Sequence, residues 1–246
     1  MNDPSPISTQ PNSPPNGDKS PRTHRPSFLS EDLAYILPMA VFLLFTWAGV
    51  QWPSFFPASY IAKTILAAAL LIYLRPFYTR IRWNHWWLGV IMGVLGIVQW
   101  VGMEKLLLHF WPHFPEIAGE PRDLTKVFAS PAVAWSFIAL RWAGAALVVP
   151  FMEELFWRDF CWRSIIAPND FKLAAVGEWD WKAFVIVPLI FAVVHGNWWL
   201  TAIGWGFMVG GLLAYTKSLG ACIIAHATTN LLLGVYVLYS KQWSLW

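Results

Sequence analysis

Long, nearly unbroken apolar runs dominate this chain and leave few architectures open to it. They cover about 33–50, 58–74, 86–107, 131 to beyond 158, 181–195, 198–215 and 219–239. A helix needs ~20 apolar residues to cross a bilayer core. Lipid offers no partner to backbone polar groups, so only helices or closed barrels span it. Barrel strands alternate apolar and polar residues, and these runs do not. The expected fold is therefore all-α, a polytopic membrane helix bundle of about 7–8 transmembrane helices. The count turns on 131–163, which is long for one span of ~20 residues. Pro150 inside it would kink a helix and free carbonyls that neighbours or water must satisfy.

Composition agrees. The chain is 57% hydrophobic and 13% charged, with mean hydropathy +0.47, where a soluble domain carries ~25% charged residues. Its 18 Trp and 17 Phe suit bilayer interfaces. No basic run with interleaved aromatics suggests nucleic acid as a partner. Cys161 and Cys222 sit in or beside apolar runs with no CxxC pairing, so they read as buried small hydrophobes, with a nucleophilic Cys161 as the sharper alternative.

Residues 1–29 are rich in Pro and Ser and are expected to form a disordered cytoplasmic tail. No apolar segment directly follows the start, so this stretch does not read as a signal peptide. Residues 30–246 are expected to form the transmembrane domain. Positive charge sorts to one side. The tail holds Lys19, Arg22 and Arg25, and later connections hold Arg75, Arg80, Arg82, Arg158, Arg163, Lys172, Lys182 and Lys217. The 109–130 connection has only Arg122 and Lys126. Positive charge stays inside, so the N-terminus is expected in the cytoplasm. Gly89 and Gly93, and Gly206 and Gly210, form GxxxG pairs that allow close helix packing.

Ionisable residues in lipid are expensive and so point to function. In Glu153-Glu154-Leu-Phe-Trp-Arg158, Glu154 and Arg158 share a helix face and suit a salt bridge. Glu153 has Trp157 at that spacing. An unpaired carboxylate in a poorly solvated site suits a general base. The bland alternative is a helix end that has reached the headgroups. Phe191-xxx-His195 and His226-xxx-Asn230 add two histidines and an amide, with Thr228 or Thr229 beside them. Alone, His195 reads more simply as a ring bonded to a carbonyl. Together, an acid, two histidines and an amide from three spans supply a base and donors for an oxyanion, the parts of a water-activating hydrolase.

EExxxR, FxxxH and HxxxN in this order resemble the CAAX prenyl protease and bacteriocin-processing family (CPBP, type II CAAX endopeptidase, ABI) of intramembrane proteases. The likeness covers roughly 131–240. It implies a glutamic-type endopeptidase that acts near the C-terminus of a membrane-associated protein or peptide and takes no cofactor. Glu153 and His195 would activate water, His226 and Asn230 would stabilise the oxyanion, and Glu154 with Arg158 would support the site. The sequence around Glu153 also resembles a bacterial subgroup associated with exosortase and PEP-CTERM systems, which implies a bacterial inner membrane.

Three other readings stand beside it. Glu153, Glu154, His195 and His226 include a legitimate zinc set, although HExxH is absent. A non-catalytic scaffold or immunity protein would keep the network for binding. A transporter would relay protons through it, but no inverted repeat is visible.

Overall fold

A computed structural model describes residues 31–113 and 123–246. The expected tail, 1–29, and part of the 109–130 connection lie outside the described residues. Those described form helices and connections, without a strand: α1 (Glu31–Gln51), α2 (Phe56–Tyr73), α3 (Trp86–Phe110), α4 (Pro131–Ile166), α5 (Trp181–Val193), α6 (Trp199–Thr216) and α7 (Leu219–Ser240). Six are long and apolar enough to cross a membrane, and α5 is a shorter apolar helix. The protein is an all-α polytopic membrane bundle.

The surface is inverted relative to a soluble protein. Leu44, Ile65, Ile72, Val98 and Leu147 are exposed, whereas Lys63, Glu104, Glu153, Glu154, Arg158, Asp159 and His226 are buried. An apolar exterior of this extent marks a lipid-facing surface.

The 131–166 stretch is one continuous helix of 36 residues rather than two spans. Two wide π-helical turns, Gly144–Val148 and Leu155–Cys161, interrupt its α-helical register. Pro150 follows the first of them. Such turns change which carbonyls are paired without breaking the rod, and they recur at functional sites.

Small residues bring neighbouring helices into close contact. At Gly93 of α3, a Cβ would lie 2.5 Å from Thr228 Cβ and 2.7 Å from the Ala225 carbonyl oxygen, so only glycine lets α3 lie this close to α7. Thr229 Oγ1 donates across the same contact, 3.0 Å from the Gly93 carbonyl oxygen. At Gly206 a Cβ would come within 2.8 Å of Pro188, which pins α6 to α5. Caps fix two helix starts: the Asp180 carboxylate accepts from the Ala183 N–H at 2.8 Å, and Ser218 Oγ accepts from the Ala221 N–H at 3.2 Å.

A second polar layer ties α1 and α4 together. Tyr35 Oη donates to Asp159 Oδ2 at 3.0 Å and accepts from the Thr79 N–H at 2.7 Å. Arg163 pairs with Asp159, and its Nε donates to the Ala174 carbonyl at 2.8 Å. A buried carboxylate with this many partners is satisfied and holds the connection after α2 against the end of α4.

Candidate active site

The segment Val149–Glu154 of α4 presents its two acids to different surroundings. Successive residues on an α-helix point about 100° apart. Glu154 is fully buried and faces α7, with Oε1 2.8 Å from His226 Nδ1. Its Oε2 lies 3.3 Å from Arg158 Nε. This is the pair expected from the i, i+4 spacing, and His226 makes it a triad. The Arg158 guanidinium nitrogens make no aligned hydrogen bond among the described residues. The group lies instead over the Phe191 ring, 4.8 Å from its centroid, a cation–π contact that partly offsets desolvation.

Glu153 points elsewhere. It is buried, and its Oε2 has no hydrogen-bond partner among the described residues. It lines a cavity of about 110 Å³ together with His195, His226, Asn230, Trp100 and Trp205. Val149, Phe191, Thr229 and Leu233 complete the wall. Such a volume has room for several waters.

His195 sits in the turn after α5, with Nδ1 2.7 Å from the Phe191 carbonyl oxygen. A carbonyl only accepts, so Nδ1 carries the proton and the neutral ring keeps a lone pair on Nε2. The bland bond to a carbonyl is therefore present, and it also sets the tautomer a base requires. Trp100 meets the His195 ring edge-on at 5.9 Å, and Trp205 meets the His226 ring at 5.9 Å.

Asn230 Nδ2 donates to the Ala145 carbonyl at 2.8 Å. The reason lies in the helix register. The Val149 N–H reaches back to Gly144 across the π-helical turn, so the next bond in that register would come from residue 150. Pro150 has no N–H to give, and Asn230 supplies the donor in its place.

The motif spacing singled out Glu153, Glu154, Arg158, His195, His226 and Asn230. Glu153, His195, His226 and Asn230 share the cavity, while Glu154 and Arg158 stand behind His226. Thr229 lines the cavity and Thr228 packs on Gly93. Trp100, Trp205 and the buried Glu104 escaped sequence reading, because their roles depend on which helices adjoin. Cys161 and Cys222 are free thiols that do not line the cavity. Among the described residues, no group of three or more His, Cys, Asp or Glu side chains is gathered to hold a metal ion.

No curated protein and no solved structure matches the chain. Residues 134–232, which contain all three motifs, match the family described as Type II CAAX prenyl endopeptidase Rce1-like. Across these residues the chain is similar to the type II CAAX prenyl endopeptidases, a family of peptidases.

Proposed function

We propose that this integral membrane peptidase is a glutamic-type intramembrane endopeptidase, with residues 30–246 as one protease domain. It hydrolyses a peptide bond near the C-terminus of a membrane-associated protein. The observation that supports this most is the convergence of Glu153, His195, His226 and Asn230, from three separate segments, on one small buried cavity.

In this reading water sits between Glu153 and His195. The unpartnered Glu153 carboxylate orients it, and His195 Nε2 is free to take its proton. Attack on the scissile carbonyl creates an oxyanion. The second N–H of the Asn230 amide is available to it, because the first is held by Ala145. His226 spends its Nδ1 proton on Glu154, so its Nε2 donates only when the ring is an imidazolium. Preorganised donors of this kind are commonly the largest contribution to acyl-transfer catalysis.

We further propose a cytoplasmic N-terminus, from the sorting of Lys and Arg. The likeness around Glu153 to the bacterial subgroup supports a bacterial inner membrane and substrates from PEP-CTERM systems. The test is incubation of the purified protein in detergent with fluorogenic peptides from PEP-CTERM and CAAX-like tails. Cleavage in H₂¹⁸O is expected to place label in the new carboxylate. Inertness toward both peptide classes, in protein shown to be folded, would count against this substrate assignment.

A further inference from the structure

A second cavity, of about 1140 Å³, lies away from the candidate active site and shares no residue with it. Its walls come from the connection after α2, the connection between α4 and α5, and the turn between α6 and α7. These all lie at one end of the bundle. Five cationic side chains line it, Arg80, Arg82, Arg163, Lys172 and Lys217, against a single acid, Glu178.

The cations are not equivalent. Arg163 is neutralised by Asp159 and buried. Lys172 pairs with Glu31 at 2.7 Å. Lys217 bonds only the neutral Gly177 carbonyl. The side chains of Arg80 and Arg82 are exposed and make no hydrogen bond or ion pair among the described residues. The Glu178 carboxylate is engaged by the Ala175 N–H at 2.8 Å. Three cations therefore face the cavity without an acidic partner.

The site is built rather than loose. The Arg82 carbonyl accepts from the Gly220 N–H at 3.1 Å and from Ser218 Oγ at 2.9 Å. Arg163 anchors the opposite wall through the Ala174 and Lys172 carbonyls. The indoles of Trp83 and Trp179 are exposed at this cavity, as expected at the depth of lipid headgroups. The volume slightly exceeds that of most small-molecule sites, so it has room for a headgroup-sized ligand.

We infer that this cavity binds a phosphate group, held by Arg80, Arg82 and Lys217. Guanidinium groups match phosphate oxygens in fork geometry. The phosphate belongs either to an anionic phospholipid headgroup or to a free solute.

The test uses the full-length protein purified in zwitterionic detergent. Thermal unfolding is followed while phosphatidylglycerol, phosphatidylcholine, inorganic phosphate or an acidic peptide is titrated in. The proteins are wild type, the Arg80→Gln/Arg82→Gln double variant, and Arg75→Gln as an exposed cation outside the cavity. Stabilisation by phosphatidylglycerol but not phosphatidylcholine is expected, with apparent affinity about tenfold weaker or worse in the double variant and unaltered in Arg75→Gln. The same pattern with inorganic phosphate would identify a free solute as the source. No response to either phosphate probe, an equal loss in Arg75→Gln, or stabilisation by the acidic peptide alone would overturn the inference.

Discussion

His226 Nδ1 lies 2.8 Å from Glu154 Oε1, and the other oxygen of that carboxylate lies 3.3 Å from Arg158 Nε. One buried acid thus anchors a ring that lines the cavity and a guanidinium that does not. Arg158→Ala leaves Glu154 partly uncompensated in a site closed to water. Breaking a buried pair costs ~3–5 kcal/mol. A clear fall in the unfolding temperature in detergent is expected, and an unchanged value would contradict burial of the pair.

Glu154→Gln keeps an acceptor for the His226 ring but leaves the buried Arg158 guanidinium without its carboxylate. The unfolding temperature is expected to fall as in Arg158→Ala, and turnover of the folded protein to fall with KM nearly unchanged. A loss confined to KM would show that His226 does not act on the transition state.

Asn230 caps the Ala145 carbonyl that Pro150 leaves unpaired. Asn230→Ala is expected to cost ~1–3 kcal/mol for that buried carbonyl, as well as activity. Adding Pro150→Ala restores an N–H to the helix. The double variant is expected to regain part of the stability and none of the turnover. Recovery of both would reduce Asn230 to a helix cap.

Packing of α3 on α7 gives a prediction independent of catalysis. Gly93→Ala drives a methyl into Thr228 and is expected to destabilise by ~1–3 kcal/mol. Gly102 has open space around it, so Gly102→Ala is expected to be neutral or slightly stabilising. Thermal unfolding of the two variants side by side checks the contrast.

Much of this was legible in the sequence. The apolar runs mark the helices because lipid demands internally paired backbone. The pair at 154 and 158 follows from helical spacing, and the isolation of Glu153 follows from Trp157 at the same interval. Other features have no local period. Tyr35 meets Asp159 across 124 residues of chain, and neither residue's neighbours hint at the other. Glu104 is an acid within an apolar run, a signal legible in the sequence, but its burial is seen only in the packed bundle. The π-helical turns are a choice of hydrogen-bond register, and the same residues would fit an ordinary helix. At Pro150 the helix shifts register and the Asn230 amide takes the freed Ala145 carbonyl, and α4 runs on as one helix.

The central claim is that Glu153 activates water without a metal. The most direct measurement is cleavage of a fluorogenic C-terminal tail peptide by the full-length protein in detergent, with a chelator titrated in. Glu153→Gln and His226→Ala are run alongside. The account predicts wild-type cleavage that survives chelation and a loss of about hundredfold or more in both variants, the scale of acid–base catalysis. Wild-type turnover by Glu153→Gln, or activity lost to the chelator and restored by zinc, would contradict it.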